Sequence, residues 1–435
     1  MGVEITAFGF FAILLVLLAS GAWIFIALIV ASILSLHFML GFPFTRIAAI
    51  AGPVMLKSVG GWELAAVPLF IWMGEIINRT DVAHRLFRGL TPWVRRLPGG
   101  LLHCNVAGCV LFAAMSGSSV ATAATIGRVT VRELEQRGYQ RGLTVGSVTV
   151  AGTIGILIPP SITMIVYGLV AEVSVVKLFA AGLLPGLMLG LFYSAYIGVR
   201  CLRDPSLEPE DQTAYSGHDL LRSFRDLAPV ILLIAFILGS IYGGFATPSE
   251  AAALGVLGAV LVSFLGPGIT WKGLYESAMS SVRVTAMIGS AIAGAALFAS
   301  TLAYLHVPQQ IAQSIASLAL SPWELLLLLT AVYLFLGCIM ESISLILMTV
   351  PIVFPVMMAA GFDPVWFGIY LVMIIEIGLV TPPVGFNLFV LRGVTGLPIG
   401  TIARASFPFF CLMLLGVLIL SLFPQIALFL PQQLF

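Results

Sequence analysis

Two proline pairs, Pro159-Pro160 and Pro382-Pro383, each follow a glycine by four residues, inside long apolar runs of this 435-residue chain. A proline removes a backbone donor and disfavours helix in the residue before it, so a pair forces the chain out of any helix it would continue. The runs that hold them, residues 142–170 and 365–391, are long enough to cross a bilayer. In lipid each freed carbonyl must meet something polar. The chain is 60% hydrophobic and only 9% charged, and its apolar runs are continuous rather than alternating. That combination predicts an all-α polytopic membrane protein and excludes a β-barrel. A net charge of +1 gives no reason to expect nucleic acid as a partner. The five cysteines form no Cys-x-x-Cys pair and read as buried thiols that pack as small hydrophobes. The five histidines are dispersed and suggest no metal centre. The first apolar run lacks a basic flank and a small-residue cleavage site, so it reads as membrane helix rather than a leader.

Charge then sets the topology. Arg85, Arg88, Arg95 and Arg96 precede residues 100–127, and Arg128, Arg132, Arg137 and Arg141 follow them; no Lys, Arg, Asp or Glu lies between. Positive loops favour the cytoplasm, so both ends of this run belong there. Two full spans would need roughly 40 residues. The run is therefore expected to be a re-entrant hairpin, with its tip at Ser116-Gly117-Ser118-Ser119. A broken span over 142–170 and a returning span near 178–199 follow. Arg200, Arg203, Arg222 and Arg225 mark a cytoplasmic linker over 201–226, most polar from Asp204 to His218. Two spans are expected near 227–243 and 249–266, the second opened by a capping box at Thr247-Pro248-Ser249-Glu250. Residues 271–283 read as a short interfacial helix.

From Val284 to Leu391 no Lys or Arg occurs, so these loops are expected outside. A span over 285–304, a hairpin over 321–360 and a broken span over 365–391 then bring Arg392 inside, and a last span covers 405–430. The order of span, hairpin, broken span and span appears twice in opposite orientation, which is an inverted-topology repeat. Ser116 and Glu341 precede their proline pairs at nearly the same distance. The expected division is N-terminal scaffold helices over 1–60, a first repeat over 61–200, the linker, central scaffold helices over 227–282 and a second repeat over 283–435. Residues 5–38 hold two short spans with a turn at Gly21, which leaves Arg46 and Lys57 in an outside loop. Asp81 to Arg96 is amphipathic and is expected to lie along the membrane surface as a brace.

Polar groups concentrate at four places: the first tip (Ser116, Ser118, Ser119, Thr122), the first break (Thr153, Ser161), the second tip (Glu341, Ser342, Ser344) and the second break (Glu376, Thr381, Asn387). A broken helix presents unpaired carbonyls, which with a nearby hydroxyl suit a hard cation such as sodium. Helix N-termini at the tips suit a carboxylate. A serine in a membrane helix often only bonds the preceding turn. An intramembrane carboxylate such as Glu341 or Glu376 is costly and points to function. No nucleophile stands with a base, which argues against an enzyme, and nothing resembles a selectivity filter.

With these motifs in view, the chain resembles the large membrane subunit of the TRAP (tripartite ATP-independent periplasmic) transporters. The carriers are Ser116-Gly117-Ser118-Ser119-Val120-Ala121-Thr122, Gly155-Ile156-Leu157-Ile158-Pro159-Pro160-Ser161, residues 243–253, and Gly378-Leu379-Val380-Thr381-Pro382-Pro383-Val384-Gly385-Phe386-Asn387. The resemblance covers essentially the whole chain. It implies a secondary transporter of the bacterial cytoplasmic (inner) membrane that takes up an organic acid on a sodium gradient. Its elevator motion would slide a transport domain against a scaffold. It further implies two partners, a separate small four-helix membrane subunit and a periplasmic substrate-binding protein. Sodium ions are then the coupling ions, and no cofactor is expected. By motif, Ser116, Ser118 and Ser119 with Gly155, Ile158 and Ser161 frame one sodium, and Ser342 with Gly378, Thr381 and Val384 frames the other. The substrate is expected against Ser119, Pro160, Glu341, Ser344, Pro383 and Asn387. Many members carry Asp where this chain has Glu341, whose role as ion ligand or tip support stays open. The competing reading is a stand-alone sodium-coupled anion symporter of related architecture, which needs no soluble partner.

Overall fold

The computed structural model describes residues 3–209, 216–266, 268–317 and 320–435. Its regular elements are all helical, with no strand among the described residues. Five helices are long and apolar enough to cross a membrane: Val175–Arg203, Gly217–Tyr242, Trp271–Tyr304, Ser342–Ala359 and Ile399–Leu422. The pair Phe44–Val59 and Trp62–Asn78, bent by 51°, makes a sixth if counted as one span. The chain is a multi-pass membrane protein.

One order of elements occurs twice. First come Ala66–Asn78, the amphipathic Val82–Val94, the helical pair His103–Ser116 and Ser119–Gln136, the interrupted pair Arg141–Ala151 and Ile162–Val170, and Val175–Arg203. Then come Trp271–Tyr304, Val307–Ser317, the pair Pro322–Gly337 and Ser342–Ala359, the interrupted pair Pro364–Leu379 and Phe386–Thr395, and Ile399–Leu422. Both proline pairs contain a cis peptide bond.

Local chemistry explains the boundaries. Gly117 takes φ +61° at the turn of the first pair, and Ser118 caps the following helix by accepting from Ala121 N–H. Thr247 and Glu250 form the expected capping box, with Glu250 accepting from the Thr247 amide at 2.8 Å. Ser321 with Glu324 and Ser216 with Asp219 form two more, each worth about 1 kcal/mol to its helix start. Gly21, at φ +82°, turns the chain between Val3–Ala19 and Ile24–Phe38.

Several expectations change. Arg46 and Lys57 lie on the helix Phe44–Val59 rather than in a loop, because the segment is amphipathic and buries only Ile47. The second arm of the first hairpin runs on past Gly127 to Gln136, since neither glycine nor proline follows until Gly138. Residues 271–283 and 285–304 are one 34-residue helix. Arg283 interrupts the apolar run but not the hydrogen-bond ladder. The last span ends at Leu422, ahead of Pro424, and Gln425–Leu434 is a separate short helix. Cys411 is exposed, unlike the other four cysteines. Residues 210–215 of the expected linker lie outside the described residues.

The amphipathic helix Val82–Val94 is more embedded than a surface brace. It packs on Gly217–Tyr242 and on the first hairpin arm. Arg88 holds Asp226 with two bonds at 2.6 and 2.9 Å, and Ser223 donates to the Gly89 carbonyl. The helices then fall into two packing groups. Ile24–Phe38, Phe44–Val59, Ala66–Asn78, Gly217–Tyr242, Pro248–Ser263 and Trp271–Tyr304 form one, in which Trp271–Tyr304 touches each of the first three. Both helical pairs, both interrupted pairs and Ile399–Leu422 pack among themselves in the other.

Candidate functional site

The first tip is a small hydroxyl network. Thr122 is fully buried; its hydroxyl donates to the Ser118 carbonyl (2.7 Å) and shares a hydrogen bond with the Ser116 hydroxyl (2.8 Å). A hydroxyl that donates its proton keeps its lone pairs for a second partner. The tip is pressed against the first break. A methyl added at Gly155 would meet the Ser118 carbonyl at 2.9 Å and the Thr122 hydroxyl at 3.0 Å, and one at Gly117 would meet the Pro160 carbonyl at 2.8 Å. Gly74, from Ala66–Asn78, approaches the same tip: a methyl there would lie 3.2 Å from the Ser116 carbonyl. The polar side chain of Asn105 anchors the arm by donating to the Thr144 carbonyl and the Ser147 hydroxyl.

Pro159 and Pro160 stand where a continuous helix would supply the donors for the carbonyls of Gly155 and Ile156. The turn is instead stitched through Ile154, whose carbonyl accepts from both Leu157 and Ile158. Ser161 restarts the helix by accepting from the Met164 amide. Ser116, Ser118, Ser119, Gly155, Pro160 and Thr122 therefore share one locus. Ile158 and Ser161 are buried beside it, and the Ile158 side chain is aimed at Gly186.

The second break meets the second hairpin in a different way. Gly378 and Gly337 approach backbone to backbone: a methyl on Gly378 would lie 2.5 Å from the Gly337 Cα. Gly385, at φ +55°, donates its amide to the Cys338 carbonyl (3.2 Å). The Thr381 hydroxyl donates back to Ile377 (2.6 Å). Tyr333 donates to Thr349 at 2.6 Å and ties the two arms of this hairpin together.

Glu341 is the N-cap of Ser342–Ala359; its carboxylate accepts from the amides of Ile343 (3.1 Å) and Ser344 (3.3 Å). The helix N-terminus at the second tip is thus already met by a carboxylate from the chain itself. Ser342 is buried, Ser344 half-buried beside the Glu341 carboxylate, and Thr381 and Val384 are half-buried. Pro382 and Pro383 are exposed, whereas Pro159 and Pro160 are buried. The two breaks therefore differ in how deeply they are buried within the protein.

Two buried groups stand out. Glu376 has no accessible surface, and neither of its carboxylate oxygens has a hydrogen-bond partner. The Ser119 hydroxyl lies beside it, short of hydrogen-bond geometry, and Glu341 and Tyr193 are within electrostatic reach. Asn387 is also fully buried with both amide atoms unmet. Its helix packs along Ser119–Gln136, where Leu391 meets Gly127, which sets Asn387 one turn nearer the first tip. Sequence reasoning flagged Glu376 as a costly carboxylate without giving it a place in the site, and counted Thr122 as polar without a role. The roles of Gly337 and Gly385 were missed; only their spacing from the break, had it been read together with the hairpin, could have signalled them.

The sequence matches the family described as "Tripartite ATP-independent periplasmic transporter, DctM component" over residues 11–426. It is 37% identical to the C4-dicarboxylate TRAP transporter large permease protein DctM of Pseudomonas aeruginosa, over 86% of this chain and 87% of that one. It is 33% identical to the isethionate TRAP transporter permease protein DctMQ of Oleidesulfovibrio alaskensis, over 97% of this chain and 65% of that longer one. Among solved structures, the YdaH transporter of Alcanivorax borkumensis shares the fold, with a TM-score of 0.60, 15% identity and coverage of 85% and 87%.

Proposed function

The chain belongs to the DctM family of tripartite ATP-independent periplasmic transporters, and from that premise we propose that it is the large permease of a sodium-driven importer of an organic acid. Its members are transporter permeases rather than enzymes. The reading places the chain in the bacterial inner membrane, beside a small membrane subunit and a periplasmic substrate-binding protein that delivers the acid. The relative named DctMQ is consistent with that company.

One observation carries the sodium proposal: each proline-broken helix is pressed by a glycine against the end of a hairpin, where hydroxyls and donor-poor carbonyls gather. Such oxygens match the preference of a hard cation. On this reading Ser116, Ser118, Ser119, Gly155, Ile158 and Ser161 frame one ion, with Thr122 added from the geometry. Ser342, Gly378, Thr381 and Val384 frame the other. Glu376, a buried carboxyl without donors, would carry negative charge only in company with a bound cation. The acid would bind between the tips, near Ser119, Pro160, Pro383, Ser344 and Asn387, and Glu341 acts as support for its tip. The two hairpins are read as re-entrant, the repeats as inverted, and the second packing group as a unit that slides against the first.

Thermal unfolding of the purified chain in sodium chloride and in choline chloride at equal ionic strength tests the ion sites. A ligand that binds the folded state raises its stability by mass action. The expected result is a sodium-specific rise that shrinks in Ser119→Ala and Thr381→Ala. Equal midpoints in the two salts would remove the coupling proposal. Sodium-dependent uptake by this chain alone in liposomes would favour the stand-alone symporter over the tripartite one.

A further inference from the structure

We propose that the cleft between helix Val82–Val94 and the hairpin arm Ser119–Gln136 binds an oxyanion, a carboxylate or a phosphate. The cleft has a volume of about 580 Å³, within the usual range for a small-molecule site. Each wall carries polar residues one helical turn apart: His84 and Arg88 on one side, Arg128 and Arg132 on the other. Glu133 is the one acid that lines the cleft, and Asp226 and Asp81 reach it only through Arg88. Glu133 pairs with Arg137 at 2.6 Å, and Asp226 pairs with Arg88 at 2.6 Å. Arg128 donates only to its own helix, to the Ala124 carbonyl (3.1 Å) and the Thr125 hydroxyl. Arg132 has no hydrogen bond or ion pair among the described residues, although it is exposed and lines the cleft. Arginines at the cytoplasmic ends of membrane helices are commonplace. That rule does not set two unpaired guanidinium groups across a cleft from a third. Like charges facing one another focus a positive field there. The planar fork of arginine fits the paired oxygens of a carboxylate or phosphate.

The walls come from different places. Val82–Val94 is fastened to Gly217–Tyr242 through Arg88, Asp226 and Ser223, whereas Ser119–Gln136 is the arm that carries the first tip. An anion held by both walls ties them together. Its effect on transport rests on the sliding motion proposed above, but the binding itself does not.

The oxyanion has two sources, a free anion of the aqueous phase or the headgroup of an acidic phospholipid. The test is thermal unfolding of the full chain at fixed sodium and ionic strength. One arm compares inorganic phosphate with chloride in neutral detergent. The other compares phosphatidylcholine nanodiscs with and without phosphatidylglycerol. A higher midpoint in either arm, lost in Arg128→Gln/Arg132→Gln and kept in Arg96→Gln, establishes the site, and the responding arm names the source. Arg132→Gln alone should lose part of the rise, which serves if the double variant folds poorly. No rise in either arm overturns the proposal. So does a rise of equal size in the double variant, or one that Arg96→Gln also abolishes. Because sodium is constant throughout, failure here leaves the ion sites untouched.

Discussion

Gly378→Ala is the sharpest test of how the second break meets its hairpin. The added methyl would stand 2.5 Å from the Gly337 Cα, 2.6 Å from its carbonyl carbon and 3.0 Å from its oxygen. Carbon atoms rest at about 3.5–4.0 Å, so the two backbones must part by roughly 1 Å. Both partners are main chain, so no side chain can rotate out of the way. Overpacking of this kind costs about 1–3 kcal/mol. At roughly 2–4 °C per kcal/mol for a large domain, the unfolding midpoint should fall by at least about 2 °C. If the Gly378 carbonyl ligates sodium, the same displacement should also erase most of the sodium-dependent rise. Gly337→Ala should be milder, because its methyl would meet Gly378 at 3.0 Å. Gly393→Ala is the control: it is helical and its methyl meets nothing within 4 Å, so it should be neutral or stabilising by up to about 1 kcal/mol. The assay is thermal unfolding of the three variants in sodium and in choline. A Gly378→Ala protein with wild-type midpoint and sodium response would refute the close approach and the ligand role built on it.

Thr122→Val removes a fully buried hydroxyl that serves both Ser116 and Ser118; a loss of about 1–3 kcal/mol is expected, and chemical denaturation that shows no loss would contradict the network. Glu376→Gln removes the charge that this unpartnered buried carboxyl can take on beside a cation, so the midpoint without sodium should change little while the gain on adding sodium shrinks; an unchanged gain would remove Glu376 from the cation's surroundings. Asp226→Asn takes the charge from Arg88 and from the buried Arg85 and should cost about 1–3 kcal/mol, read as easier proteolysis between Val82–Val94 and Gly217–Tyr242. Asp219 is held below its ordinary value by the backbone amide of Ser216, then by its hydroxyl. Its contribution is present above the ordinary carboxylate range and is lost as pH falls through the lowered value. Asp219→Asn should therefore flatten the acid side of a stability profile, and an identical profile would show that the cap contributes nothing.

The parts of the fold written as exceptions to an apolar background were legible. A Gly-Ser tip in a charge-free run placed the turn at Ser116–Ser119, and the proline pairs placed both breaks. What stayed hidden depended on partners far apart in the chain. The Gly337–Gly378 approach requires two helices to meet, and neither glycine differs in sequence from the many that only pack. The burial of Asn387 follows from the neighbouring arm of the first hairpin. Val307–Ser317 escaped because its glutamines and short length resemble a loop, although its place matches that of Val82–Val94 in the first series. The break expected near Arg283 was wrong for another reason: charge marks where a membrane ends, not where a helix does.

That uninterrupted helix has a mechanical consequence. At 34 residues, Trp271–Tyr304 rises about 51 Å, well beyond the roughly 30 Å of hydrocarbon in a bilayer. Its first half carries Lys272, Glu276 and Arg283, and Glu276 is bound to Arg79 at 2.8 Å. Sinking the helix would drag these charges into lipid at about 2.5–3.5 kcal/mol for each Lys or Arg near the centre. It is therefore a post of fixed height, and any neighbour that travels along the membrane normal must do so past it.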